Sequence, residues 1–347
     1  MDPIISILIV SHNQRLLLER CLDSVLKQEI KVLYEIIVSD DRSTDGTQEF
    51  VTSLIGSERV TKIKNLVGLY YIRCNSDECS PNYTTQRIGW NRLTAYKHAR
   101  GKYFVNVDAD DFLINTELYQ KEYEMLESHP ECSMVQTRAF KLDVGESLDQ
   151  VRECFPFSEK LETGAVFSLE EVLSYGLRGQ HQTYMYRRRP QDDMERLFGC
   201  RFEDIVITYH HLQYGPVVFL DIIGYVWMQY PNTDSHSLNI DDRKVIYGLI
   251  PLSLAMLFKE LKYVFLGLGV KKLWYTIITA PIYPELSSRG RDGCSRKKAF
   301  IYRFYSEHQH NIYSYLRYWI VWLSLRLMKH FRLESRFWLD YLYRVMV

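Results

Sequence analysis

Tyr103-Phe104-Val105-Asn106-Val107-Asp108-Ala109-Asp110-Asp111 is a largely apolar run that ends in three carboxylates. The run reads as a strand buried in a sheet, and the carboxylates fall where that strand leaves it. Like charges this close repel and raise one another's pKa unless a cation or a donor-rich pocket keeps them ionised. A hard divalent ion meets that need, because Mg²⁺ or Mn²⁺ takes one or two carboxylates and fills its shell with water and diphosphate oxygens. The plainer alternative is a polar turn that caps the next helix. Asn115-Thr116-Glu117 can start that helix by itself, with Asn or Thr as N-cap, which leaves the triplet without a structural task.

Outward from this run the chain alternates. Ile4 to Val10 is a nearly continuous β-branched and leucine stretch, the pattern of a strand buried on both faces. Leu16, Leu17, Cys21, Leu22, Val25 and Leu26 then recur at helical spacing. Tyr34 to Val38 reads as a second strand, and Ser43-Thr44-Asp45 offers N-caps for a helix through Phe50, Val51 and Leu54. Leu69 to Ile72 is a third strand, Thr84 to Ala99 a helix, Tyr103 to Val107 the fourth strand and Leu118 to Leu126 a further helix. This rhythm predicts an α/β fold with a doubly wound, mostly parallel sheet and ligands beyond the carboxyl ends of its strands. Asp40-Asp41, like Asp108 to Asp111, lies at such an end. Asp40 or Asp41 could accept from a nucleobase N–H or a ribose hydroxyl, or merely cap a helix. Farther along, strands are expected at Met134 to Thr137, Tyr184 to Arg187, Val217 to Leu220 and Gly224 to Met228, with a helix from Asp204 to Leu212.

Composition bounds the classes. A chain of 347 residues, 46% hydrophobic, can bury a sizeable core. Its 43 basic and 43 acidic residues cancel, and no nucleic-acid partner is expected. The balance is uneven, however: from Asp241 onward about eighteen Lys and Arg face about eight Asp and Glu. The seven cysteines are scattered without paired spacing, which favours reduced thiols in a cytosolic compartment over a zinc site or disulfide framework. Met1-Asp2-Pro3 leads straight into a strand-like run, so no secretory signal is expected. The longest uncharged apolar stretch, Val245 to Phe258, contains Pro251 and is shorter than the ~18 to 20 residues of a spanning helix.

Four segments in order carry a resemblance. Ile5 to Asn13, Leu18 to Gln28, Ser39-Asp40-Asp41-Arg42-Ser43-Thr44-Asp45-Gly46-Thr47 and Asp108-Ala109-Asp110-Asp111 together resemble family 2 glycosyltransferases of GT-A fold. The resemblance implies a nucleotide-sugar-binding half over 1–115, an acceptor-binding half with the catalytic base over 116–240 and a helical extension over 241–347. It also implies that Ser11, Asn13 and Asp40, with Asp41, hold uridine, that Asp108 faces the ribose or sugar, and that Asp110 binds Mg²⁺ or Mn²⁺ on the diphosphate. Where the family has Pro-Thr-Tyr-Asn this chain has Val10-Ser11-His12-Asn13, so any aromatic contact to the base falls to His12. The Asn-bearing helix before the metal loop, with Trp90 and Asn91, is about two residues out of the common register.

The same resemblance implies a catalytic base roughly ninety residues beyond the metal loop, where Phe202-Glu203-Asp204-Ile205-Val206 stands. A helix N-terminus favours an ionised carboxylate there, able to accept a proton; capping of the helix through Leu212 is the alternative. His236 falls near the family's diphosphate-facing histidine, whereas His181, His210 and His211 read as core or surface residues. The resemblance implies an inverting, metal-dependent transferase that uses a UDP-sugar and a glycan acceptor, lipid-linked as in that family's surface-polysaccharide members. A non-catalytic nucleotide-sugar-binding protein is the alternative. A dinucleotide enzyme is excluded because no GxGxxG opens the first helix. In the tail, Ile312, Leu316, Trp319, Ile320, Leu323 and Leu327 share one helical face edged by Arg317, Arg326, Lys329, Arg332 and Arg336. Such a helix suits the anionic cytoplasmic face of a membrane, or packing onto the catalytic domain or a second subunit.

Overall fold

β1 (Ile5–Ser11), buried along its whole length, pairs in parallel with β2 (Tyr34–Asp40) on one side and β4 (Tyr103–Asp108) on the other. Side chains fully buried on both faces are what a central parallel strand requires. β3 (Leu66–Arg73) extends the parallel set beyond β2. Helices α1 (Arg15–Leu26), α2 (Thr47–Leu54), the short α3 (Glu58–Thr61) and α4 (Thr84–His98) make the connections. This computed structural model describes residues 2–74, 84–153, 161–169, 171–172, 181–189 and 203–230, all within one compact unit, Met1–Tyr230.

The later elements are β5 (Phe112–Leu113), α5 (Leu118–Ser128), β6 (Met134–Asp143), β7 (Arg152–Glu153), β8 (Val166–Phe167), β9 (Tyr184–Arg187), α6 (Glu203–Leu212) and β10 (Val217–Gln229). The ten-stranded sheet runs β3-β2-β1-β4-β9-β6-β10-β5, with β7 on β6 and β8 on β10. β9 is antiparallel to both β4 and β6, and β5 to β10. The doubly wound parallel pattern therefore holds for the first four strands, and a mixed half is joined to them at β9.

Ile5, Ile7, Ile9, Tyr103, Val105 and Val107 meet Leu18, Leu22 and Val25 of α1 and Leu118, Tyr119 and Leu126 of α5 in one core. Each fully buried aliphatic side chain contributes about 1.5–3 kcal/mol. On the other face, Phe104 stacks on Tyr186 at 5.0 Å and meets Tyr96 of α4 edge-on at 5.0 Å. α6 covers the same face, with Tyr186 Oη 3.1 Å from Thr208 Oγ1 and His211 packed on Phe104.

Three local expectations are corrected. Val217 to Leu220 and Gly224 to Met228 are one strand, whose register shifts near Ile223 where exposed residues interrupt the apolar pattern. At its centre Gly224 lies so close to Leu118 that a Cβ would collide with it. α2 is capped by Gly46 in the left-handed conformation, φ 87°, and not by a Ser, Thr or Asp side chain. Asp45 instead accepts from the Thr47 N–H at 3.2 Å and from the Arg15 N–H at 2.7 Å, serving the first turns of two helices. The residue preceding α5 is Glu117; Asn115 closes the turn before it, accepting from the Glu117 N–H at 2.9 Å. No helix among the described residues is long and apolar enough to cross a membrane.

Candidate active site

β1 and β2 end side by side, with Ser11 opposite Asp40, so the loops that follow them interlock. Asn13, at φ 51°, accepts the Thr44 N–H at 2.8 Å, and its own N–H donates to Ser43 Oγ at 2.7 Å. His12 Nδ1 donates to the Asp41 carbonyl at 2.6 Å. Asn91 on α4 donates to the Ser11 carbonyl at 3.1 Å and accepts from Ser39 Oγ at 2.6 Å, binding the ends of both strands together. Ser11, Asn13, Asp40, Asp41 and Asn91 are thus one assembly.

The two acids of this assembly differ. Asp40 has no exposed surface and accepts from the Ser43 N–H at 3.1 Å, the Ser43 hydroxyl and the Tyr71 hydroxyl at 2.8 Å. Its carboxylate organises the loop. Burial, and then the bond to Asp40, raise the Tyr71 phenol. Asp41 is paired with Arg87, whose Nη2 is 2.9 Å and Nε 3.2 Å from one carboxylate oxygen. Ser11 Oγ is buried without a hydrogen-bond partner among the described residues.

At the end of β4, one ligand atom each from Asp108, Asp110 and Asp111 lies within 4.8 Å of the others. Asp108 accepts from Arg92 Nη2 at 2.7 Å and from Gln182 Nε2. Asp111 is buried and accepts the Tyr225 hydroxyl and, at 2.8 Å, the Met228 N–H. Burial, followed by the charges of Asp110 and Asp108, pushes its carboxyl well above the usual range. Arg20 Nη2 donates to the Asp110 carbonyl at 2.6 Å. No described side chain donates to the Asp110 carboxylate, which is pushed up to about 6 by burial and then by the charge of Asp108. A desolvated carboxylate beside two others, bound by no described side chain, fits a hard divalent cation.

Arg92, Gln182, Arg20, Tyr225, Arg87 and Tyr71 complete this site and escape the sequence reading. Arg92 sits one residue past Asn91, yet a lone arginine in a helix looks like any surface charge; here it is buried against Asp108. Gln182 and Tyr225 reach the acidic loop from 74 and 114 residues away, with no local signal. Glu203 and Asp204 open α6; their side chains lie outside the described part of the structure, as do His236 and residues 241–347. His210 and His211 are buried, and burial foremost lowers His211 to about 3, making it a neutral core residue. Trp90 is half-buried.

Residues 6–71 match the family model described as Glycosyl transferase family 2. A comparison with curated protein sequences finds no match. Among solved structures, S. aureus TarS 1-349 is similar with a TM-score of 0.57 at 16% identity, over 99% of this chain and 90% of that one. The same TarS segment in complex with UDP-GlcNAc gives 0.57 at 15% identity, and in complex with UDP 0.53 at 17%, each over 99% and 90% of the two chains. At these identities the likeness carries the fold. The amino-terminal match is thus to a glycosyltransferase family, and the fold is similar to the GT-A fold of those structures.

Proposed function

We propose that this enzyme is an inverting, metal-dependent transferase that moves a sugar from a UDP-sugar to a hydroxyl of a lipid-linked glycan acceptor in surface-polysaccharide synthesis. The observation that carries the reading is the pairing, at neighbouring strand ends, of the Ser11–Asp41 loop assembly with an acidic loop whose Asp110 carboxylate accepts from no described side chain. That TarS was solved with UDP and with UDP-GlcNAc supports the choice of donor.

In this reading the loops bearing Ser11, Asn13, Asp40 and Asp41 hold the uridine, with Asn91 fixing their spacing. Asp108 faces the ribose or the sugar, and His236 the diphosphate. Asp110 would hold Mg²⁺ or Mn²⁺, which when bound neutralises charge on the departing diphosphate. Asp204, at the start of α6, accepts the proton of the acceptor hydroxyl, and Glu203 supports it. The helix N-terminus favours the ionised form that this role needs. The acceptor oxygen bonds to the anomeric carbon from the face opposite the nucleotide as the bond to the diphosphate breaks, so an α-linked donor yields a β-linkage. The basic tail brings the enzyme to the cytoplasmic face of the membrane as a peripheral protein.

Incubation with a panel of UDP-sugars and Mn²⁺ tests this. One donor should be slowly hydrolysed, and EDTA should stop the reaction. Release of no UDP from any of them, with or without metal, would overturn the reading.

A further inference from the structure

One row deeper in the sheet than Asp108 lies a set of neutral polar side chains that the scheme above does not use. The β4–β9 register pairs Phe104 with Tyr186 and Val105 with Met185, and its extension by one residue sets Asn106 level with Tyr184. Tyr184 is paired in turn with Gln136 of β6. Asn106, Tyr184 and Gln136 thus form one row across three strands, and side-chain alternation puts Asn106 on the same face as Phe104 and Asp108. In the next row Gln182 donates to Asp108. α6 covers this face with Thr208 at Tyr186, His211 at the Arg187 carbonyl and Tyr214, just beyond the helix, under Arg189, so its first turn lies toward the row and the strand ends.

Both side-chain polar atoms of Asn106, Nε2 of Gln136 and Oε1 of Gln182 are buried without a hydrogen-bond partner among the described residues. The three residues are only 1%, 3% and 5% exposed. Buried polar groups are nearly always hydrogen-bonded, and four such atoms in one patch beside the acidic loop are too many to be incidental. Amides both donate and accept without charge, which matches sugar hydroxyls that do the same. A sugar carboxylate would fare badly here. It would meet the charge of Asp108, while Arg92 is engaged by Asp108 and Arg138 by Glu153 and Asp221.

We propose that Asn106, Gln136 and Gln182 form a hydrogen-bonding floor that reads the hydroxyl or acetamido groups of the transferred sugar, and that this sugar is a neutral hexose or N-acetylhexosamine. The inference rests on the glycosyl-transfer reading above. Asn106→Leu and Gln136→Met keep size and remove the unpartnered polar atoms. The full chain and both variants are compared for UDP affinity by calorimetry, for KM in the hydrolysis of UDP-glucose, UDP-N-acetylglucosamine and UDP-glucuronate, and for thermal midpoint. Each variant should bind UDP as the wild type does and hold or raise its midpoint, while KM for the preferred donor rises about tenfold, the order expected from one lost neutral hydrogen bond. UDP-glucuronate should be the poorest donor. Unchanged KM in both variants, or a lowered midpoint with unchanged KM, overturns the assignment while leaving glycosyl transfer standing, and a preference for UDP-glucuronate overturns the neutral class. A wild type that binds no UDP overturns the glycosyl-transfer reading itself, and the floor with it.

Discussion

Tyr225, on β10, donates its hydroxyl to the carboxylate of Asp111, 114 residues earlier in the chain. The Met228 N–H supplies the second oxygen at 2.8 Å, so the mixed half of the sheet holds the acidic loop that the parallel half presents. Removing one partner of a buried acceptor costs about 1–3 kcal/mol. Tyr225→Phe should therefore lower stability by that order in urea unfolding and weaken Mn²⁺-dependent UDP binding. Wild-type stability in the variant would show that the bond does not hold the loop.

Asp110 should trade stability for binding. Its folded pKa is raised from 3.8 to about 6, so between these values the folded state binds more protons than the unfolded chain. Metal-free stability from this group is accordingly lost as pH rises through that window, on the order of 3 kcal/mol by pH 7. Asp110→Asn should melt higher than wild type in EDTA at pH 7, with the advantage shrinking toward pH 4. It should also lose the Mn²⁺-dependent part of UDP affinity in calorimetry. Equal melting of the two proteins at every pH, with metal-dependent binding retained, would remove Asp110 from the site.

Asp204→Asn separates binding from chemistry. Loss of a general base lowers turnover by about 10²- to 10⁴-fold, with UDP affinity little changed. Glu203→Gln should be milder. A greater loss from Glu203→Gln than from Asp204→Asn would reverse the two roles.

The tail is tested by flotation with liposomes. Residues near an anionic surface gain about 1 kcal/mol for each Lys or Arg, so the full-length protein should float with anionic vesicles, less so at high salt, and residues 311–347 should be required. Failure to bind anionic vesicles at low salt would make the tail a packing or dimerisation element.

The sequence by itself determined the alternation from β1 to β4 and the position of both acidic loops. Buried parallel strands announce themselves as unbroken apolar runs, and charges just past such runs stand at strand ends whatever the rest of the chain does. Asp40, Asp108 and Asp110 were legible as strand-end acids for that reason, whereas Ser11 and Asn13 came only from the resemblance of their loop. The tertiary structure decided what each acid does. Asp40 and Asp111 are tied by donors from Ser43, Tyr71, Tyr225 and Met228, Asp108 by Arg92 and Gln182, and only then does Asp110 stand out as the acid of the two loops to which no described side chain donates. It also decided that Asn106 and Gln136, thirty residues apart and unremarkable in their own strands, lie in one row, because β9 is inserted antiparallel between β4 and β6. Strand order and register are set by long-range packing, and local sequence carries no record of them.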